Sequence, residues 1–186
     1  MKYLRNLLVL AIAIIGFASF NVNAQSVNIV AGKNTTKGIE RQVYKQIVKL
    51  PYYGVFDNIA FRVDGDTVTL YGRVMQPTTR KSAERVVEKI EGVENVVNNI
   101  EVLPLSNFDD SIRIRTLQTL QNGGALGRYF DSINPSVKII VERGNITLEG
   151  YVAHRGDYDL ANLLARGVTG VFGVTNNLII EKELVR

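Results

Sequence analysis

The chain has 186 residues, of which 46% are hydrophobic and 22% charged; these are values of folded globular domains and exclude wholesale disorder. The formal net charge is +4, but two of the cations, Lys2 and Arg5, lie in an N-terminal segment. The remaining 20 Lys and Arg against 18 Asp and Glu leave +2, too little to indicate nucleic acid binding. There is no cysteine, which excludes disulfides and a lipid-modified cysteine anchor.

The first 24 residues have the features of a cleaved signal peptide. Lys2 and Arg5 precede an apolar run over 7–18, and the small residues Val-Asn-Ala stand directly before Gln25. A membrane anchor is the alternative, but the run is shorter than the roughly 20 apolar residues that span a bilayer. We predict a signal peptide over 1–24, export of the mature chain to the periplasm, and a flexible lead-in over 25–36.

Beyond the lead-in, the sequence contains an internal duplication. Residues 68–74 (VTLYGRV) match residues 146–152 (ITLEGYV), and residues 92–100 (GVENVVNNI) match residues 170–178 (GVFGVTNNL). Both pairs have the same offset of 78 residues, which chance matches would rarely share. The duplication predicts a first domain over 37–104, a linker over 105–110 and a second domain over 111–182.

Each copy begins with a helix and continues into a β-hairpin. In copy one, Ile39, Val43 and Ile47 recur every four residues and Pro51 ends the helix, while copy two has a weaker helical pattern over 112–120. Apolar residues then alternate on both sides of an Asp-Gly-Asp turn in copy one and of an Arg-Gly-Asn turn in copy two. These patterns predict one helix and two antiparallel strands at the start of each copy.

A second helix and a last strand complete each copy. The helix is predicted to begin at a cap, Thr79 or Asp157, and to end at Gly92 or Gly170, where a left-handed C-terminal cap favours a residue without Cβ. A right-handed crossover then places the last strand parallel to the strand before the helix. The predicted fold class is α+β, with two tandem α-β-β-α-β domains, each a three-stranded mixed sheet with two helices on one face.

The matched segments resemble a known family. VTLYGRV followed by GVENVVNN in copy one, with their partners in copy two, is similar to the BON domain, in the dual arrangement of periplasmic osmotic-stress and outer-membrane-maintenance proteins. The resemblance covers nearly the whole mature chain. It implies the α-β-β-α-β fold, binding to phospholipid or envelope surfaces, and no catalysis. The chain departs from some dual-BON proteins in lacking the lipid-anchor cysteine.

Two glycines and two asparagines recur inside the predicted strands. Gly72 and Gly150 are explained by a bulge or by the close packing of a helix. Asn98 and Asn176 have the parity of inward-facing residues, and a buried amide needs partners. We favour an amide bonded to local backbone, or a bulge, over a role in ligand binding.

The candidates for catalysis and metal binding have simpler explanations. His154 is the only histidine, and its neighbouring aspartates could suggest a triad or a metal site, but Asp157 is explained as a cap and there is neither a GxSxG motif nor a cysteine. Asp64 and Asp66 stand in a turn without the rest of a calcium loop. The glycine-rich stretch over 123–127 lacks the Lys-Ser/Thr of a phosphate-binding loop. We predict no enzyme activity, no cofactor and no metal.

Two segments are candidates for a membrane contact. Four cations spaced four residues apart share one face of the first helix, opposite its apolar residues, which is typical of peripheral binding to anionic phospholipid or, alternatively, of a merely solvated face. In copy two, aromatic residues beside a cation resemble a bilayer-interface segment, or they simply cover the core. The two sets are Lys37, Arg41, Lys45 and Lys49, and Leu126, Arg128, Tyr129 and Phe130.

The sequence therefore leaves two functions open. The first is a non-enzymatic periplasmic protein that binds an anionic phospholipid membrane surface and supports envelope integrity or the osmotic-stress response. The second is a periplasmic protein-binding adaptor or holdase chaperone, which would use the exposed sheet face to bind envelope proteins. Strong salt dependence and a preference for anionic lipid would favour the first function, and indifference to lipid would favour the second.

Overall fold

The structure is a computed structural model and describes residues 36–181. The predicted signal peptide over 1–24, and the predicted lead-in up to residue 35, lie outside the described residues. Within the described residues, no helix combines the length and the apolar character that crossing a bilayer requires.

Copy one has the predicted α-β-β-α-β order. The strands β1 and β2 form an antiparallel hairpin, and the last strand β3 pairs with β2 in parallel, so the sheet is mixed and has the order β1-β2-β3. The fold class predicted from the sequence is confirmed. The elements of copy one are α1 (Thr36–Ile47), β1 (Asn58–Asp64), β2 (Thr67–Val74), α2 (Pro77–Val87) and β3 (Asn95–Val102).

Copy two repeats this topology in a second, separate sheet. Two additions distinguish it: a 3-10 helix lies between its first helix and its hairpin, and its last strand is divided into two pieces that both pair with β5 in parallel. The elements are α3 (Asn107–Gln121), the 3-10 helix (Gly124–Tyr129), β4 (Val137–Glu142), β5 (Asn145–Val152), α4 (Arg155–Arg166), β6 (Gly173–Asn176) and β7 (Ile179–Ile180).

Each copy has its own hydrophobic core between the helices and one face of the sheet. Ile39, Val43 and Ile47 are all buried, as their four-residue spacing predicted, and they pack against alternating residues of β2 such as Val68 and Leu70. In copy two the corresponding core includes residues of α3, β4, β5 and α4. Successive strand residues alternate between the two faces of a sheet, so one face of each sheet contributes to the core of its copy. In β4 both faces are buried.

The second helices begin earlier than predicted. The residues before the first turn are Gln76 and His154, so Thr79 and Asp157 are not caps but lie in the first turn, where their N–H groups bond to Gln76 O and His154 O at 3.1 Å. Neither helix has a side-chain cap. In α2, Pro77 explains the start, because its fixed φ suits the first helical position and that position needs no N–H.

Gly92 and Gly170 have the predicted left-handed conformation, with φ of 92° and 89°, but they do not directly follow the helices. Tight turns intervene, marked by the bonds Ile90 N–Val87 O at 3.0 Å and Val168 N–Ala165 O at 3.3 Å. The glycines therefore allow the chain to reverse into the last strand rather than cap the helix.

The connection between the copies is shorter than the predicted linker over 105–110. The helix α3 begins at Asn107, because the Ser106 hydroxyl accepts the N–H of Asp109 at 3.2 Å and caps the first turn.

The copies also contact each other directly, since Ile139 N–H donates to Val55 O at 2.8 Å.

Candidate functional site

The basic face of α1 is exposed as predicted. Lys37, Arg41 and Lys45 point to solvent from the helix, whereas Lys49, predicted on the same helix, lies exposed in the turn that follows it. None of the four forms an ion pair within residues 36–181. Tyr44 lies within this face and is 61% exposed. A second tyrosine follows the helix, Tyr52, and is 78% exposed. The face thus combines unpaired cations with aromatic side chains of the kind found at membrane interfaces.

The segment around the 3-10 helix does not present the predicted aromatic surface. Leu126 and Phe130 are buried in the core of copy two. Tyr129 is half-buried, and its hydroxyl donates to Asp157 Oδ2 at 2.6 Å and accepts the N–H of Ala153 at 2.9 Å. Of the four predicted residues only Arg128 is exposed, and it donates to the same Asp157 oxygen at 2.6 Å. The structure agrees with the alternative, in which these side chains cover the core.

These contacts also revise the predicted role of Asp157. Its carboxylate is engaged by Arg128 and Tyr129 instead of capping α4. His154 is exposed at the residue preceding α4. Asp64 pairs with Arg62 at 2.7 Å, and within residues 36–181 no group of three or more acidic or histidine side chains could hold a metal ion. The absence of catalysis and of a metal remains a prediction.

Gly72 and Gly150 permit a close approach between strands. Both lie in unbroken hairpin ladders with φ of 116° and 109°. A Cβ atom at Gly72 would lie 2.1 Å from Asn58 O, and one at Gly150 would lie 1.9 Å from Ser136 O. The reason for the glycines is therefore the backbone of the neighbouring strand, and neither a bulge nor a packed helix.

Asn98 and Asn176 connect the last strand to the second helix of their copies. The Asn98 amide donates to Arg80 O at 3.2 Å, and the Asn176 amide donates to Tyr158 O at 3.0 Å. Each Oδ1 accepts a backbone N–H two residues later in the strand, both at 3.2 Å. These bonds agree with the interpretation as amides bonded to backbone, although only the bonds to Oδ1 are local in sequence.

An exposed pair of phenylalanines in copy two was missed in the sequence. Phe108 and Phe172 are 47% and 75% exposed, and their ring centroids lie 5.8 Å apart. Two arginines border the rings. Arg115 lies beside Phe108 near Gly170, and Arg143 directly precedes Gly144, against which both rings pack. We call these four residues the Phe patch. The offset of 78 could have revealed it, because Phe172 replaces the glutamate of copy one at residue 94.

A buried lysine and a buried aspartate at the contact between the copies were also missed. Lys138 of β4 is only 8% exposed; its Nζ donates to Gly54 O at 3.0 Å and lies 4.4 Å from the centre of the Tyr53 ring. Asp57 is buried nearby and accepts the N–H groups of Met75 at 2.7 Å and Gly54 at 3.1 Å. Burial lowers the pKa of Lys138 to about 8 and raises the pKa of Asp57.

Because the pKa of the buried Lys138 is lowered, we expect the folded protein to become more stable at alkaline pH. Between pH 8 and the ordinary lysine pKa of 10.5, the unfolded chain holds a proton that the folded chain has lost, so the free energy of unfolding rises with pH. From pH 8 to pH 9 we expect a rise of up to about 1 kcal/mol, which is lost in Lys138→Met. Tyr53, whose pKa burial raises to about 12, does not interfere in this interval. Urea denaturation at both pH values tests this, and equal pH slopes in parent and variant would contradict it.

Comparison with known proteins identifies the repeated unit. Residues 35–104 and 125–182 match the BON domain, and the two matches together cover more than half of the chain. No curated protein matches the chain. Among solved structures, it is similar to the C-terminal domain of CdsD, the structural protein of the Type III secretion system of Chlamydia trachomatis, with 16% identity over 77% of this chain and 65% of that chain and a TM-score of 0.32. A second CdsD structure shares 13% identity over 79% and 95%, with a TM-score of 0.27. Similarities this low carry no argument about function.

Proposed function

Because the chain belongs to the BON domain family, with two copies of the domain, we propose that it is an exported, non-enzymatic protein of the bacterial envelope that binds anionic phospholipid surfaces peripherally and supports envelope integrity. The observation that carries the proposal is the exposed face of α1 and the turn after it, which has four cations without ion pairs and the exposed ring of Tyr44. If this face were only solvated, acidic partners would be expected beside some of the four cations, as on other exposed helices.

The expected attraction is electrostatic and reversible. Each Lys or Arg near an anionic membrane contributes about 1 kcal/mol, so four cations on one face are enough for measurable binding. The single acid of α1, Glu40, reduces this only in part. Raising the ionic strength from about 0.01 M to about 0.15 M shortens the Debye length from about 30 Å to about 8 Å, so binding must weaken with salt.

We propose that the apolar contribution to membrane binding comes from the Phe patch and not from the segment that the sequence indicated. Leu126 and Phe130 are in the core and cannot enter a bilayer while copy two is folded. The Phe patch, in contrast, presents two aromatic rings beside two arginines, a combination that suits an interface of anionic headgroups and acyl chains.

We expect replacement of the three α1 cations and Lys49 with serine to weaken binding to vesicles of phosphatidylglycerol and phosphatidylcholine by more than about tenfold at low salt. The fold should survive, because none of these side chains faces the core, and circular dichroism checks this. The matched control removes four exposed cations from α2 and the turn after it, where glutamates are interspersed: Arg80, Lys81, Arg85 and Lys89. The measurement is co-sedimentation. If both variants lost binding equally, net charge alone would explain the loss, which would contradict the α1 site.

A second variant in the same assay, Phe108→Ser with Phe172→Ser, separates the apolar part. It should weaken the binding that remains at higher salt, because burial of apolar rings is not screened by ions. Leu105→Ser with Ile133→Ser is its control, since both residues are highly exposed and lie outside the Phe patch. If the parent protein binds neither anionic nor neutral vesicles, the proposed function is wrong.

A further inference from the structure

The free edge of β4 in copy two is covered by the protein itself. Ile139 N–H points away from β5 and donates to Val55 O of copy one at 2.8 Å. Two residues later on the same edge, Val141 O accepts a hydrogen bond from the guanidinium of Arg113. Backbone groups that would otherwise be open to another strand are therefore occupied.

The equivalent edge of β1 in copy one is open at Phe61 and Val63, whereas the N–H of Ile59 on the same edge donates to the Tyr53 hydroxyl at 3.4 Å. Phe61 and Val63 precede Ile139 and Val141 by the repeat offset of 78, and the registers Phe61–Leu70 and Ile139–Leu148 correspond. In an antiparallel ladder alternate residues direct N–H and C=O away from the partner strand, so Phe61 and Val63 direct theirs outward. No residue within 36–181 bonds to these outward groups.

A groove runs along this open edge. One wall is the edge of β1 over residues 58–61, and the opposite side is the outer sheet face of copy two, where Tyr151 and Ile179 are exposed. The groove has a cavity of about 380 Å³ here, and a neighbouring cavity of about 360 Å³ extends it towards Lys138. An open strand edge beside apolar side chains is the geometry that accepts an added strand.

We propose that the β1 edge binds an extended peptide segment of a partner protein by strand addition, with an apolar side chain of the peptide on Tyr151 and Ile179 and a basic one beside Glu149 and Glu181. The protein itself shows that this edge position accepts a backbone carbonyl from outside the sheet, because Val55 O, in a turn of copy one, accepts the N–H of Ile139 on β4. The carboxylates at the groove favour a cationic peptide. Lys138 does not oppose this, since its ammonium group is buried against Gly54 O. The proposal does not rest on phospholipid binding, although Tyr44 of the basic face also lines the groove, so the two surfaces adjoin.

The probe is a short fluorescein-labelled peptide that alternates valine and lysine, and its control is the same peptide with N-methyl groups on the backbone nitrogens that face β1. Both have the same charge and side chains, so only strand pairing distinguishes them. We expect saturable binding of the first and at least about tenfold weaker binding of the second. Amide exchange measured by NMR should be fast at Phe61 and slow at Ile139 in the free protein, and slow at both with peptide bound.

Variants locate the site. Tyr151→Ser with Ile179→Ser should weaken peptide binding by about tenfold, because the apolar surface of the groove is lost. The matched control is Tyr71→Ser with Val97→Ser, which removes similarly exposed side chains that do not line the groove. Equal affinity for the two peptides, or no saturable binding, would overturn the proposal. Protection of Phe61 in a dimer without peptide would also overturn it, since a second copy would then occupy the edge.

Discussion

Replacing Gly150 with alanine is expected to unfold copy two. The residue has φ of 109°, which L side chains rarely adopt, and the new Cβ would lie 1.9 Å from Ser136 O. The atom that the new Cβ meets is a backbone oxygen and cannot rotate away like a side chain. Relief of the contact therefore requires β4 and β5 to separate where Tyr151 N–H bonds to Ser136 O at 3.0 Å. The strained conformation and the overlap together should cost about 4 kcal/mol or more, much of the total stability of a small domain.

Gly72→Ala should have the same effect on copy one, because its Cβ would lie 2.1 Å from Asn58 O. The control is Gly156→Ala, which places a methyl group in open space in the first turn of α4 and should be neutral or stabilising by up to about 1 kcal/mol. Urea denaturation followed by circular dichroism measures all three variants. A Gly150→Ala protein within about 1 kcal/mol of the parent would show that the close strand approach is not required.

Arg113→Met is expected to be the second most damaging substitution. The Arg113 side chain is almost completely buried; its guanidinium donates to Val141 O on the edge of β4 and pairs with Asp110. Methionine preserves much of the volume but leaves a buried strand carbonyl without a donor and Asp110 without its cation. We expect a loss of about 3 kcal/mol, because the partners of a buried charged group are left unsatisfied.

The same variant should change how copies associate, because it uncovers part of the β4 edge. Analytical ultracentrifugation of Arg113→Met should therefore detect self-association that the parent lacks at equal concentration. Arg143→Met is the control, since the Arg143 side chain is highly exposed and contributes little to stability. A variant as stable and as monomeric as the control would contradict the assigned role of Arg113.

The topology could be predicted because it depends on signals that are local and repeated. Alternating apolar residues on either side of a turn predict a hairpin, and the constant offset predicts that the second copy repeats the first. The ends of the helices could be predicted less well from the sequence. Thr79 and Asp157 are capping residue types, but Pro77 begins α2 two residues earlier, and Asp157 is directed to the side chains of Arg128 and Tyr129. Which group an aspartate bonds to is decided by tertiary packing, which its neighbours in sequence do not specify.

The candidate surfaces show the same limit. The basic face of α1 follows from helical periodicity, so Lys37, Arg41 and Lys45 could be placed in advance, whereas the helix ends before Lys49. Leu126 and Phe130 could not, because whether an aromatic side chain covers a core or faces solvent depends on what packs on it. Lys138 occupies the position of Ala60 in copy one, and only the contact between the copies explains why a lysine in a strand is buried.

The coverage of β4 by Val55 has a consequence for how the edge is protected at different protein concentrations. The contact joins segments 84 positions apart in one chain, as the neighbouring bond from Lys138 to Gly54 shows. Because both segments belong to the same chain, the partner of the β4 edge is present at an effective concentration that does not fall on dilution. A strand of another molecule competes only at its bulk concentration. The β4 edge is therefore protected by a partner that every copy of the chain carries with it.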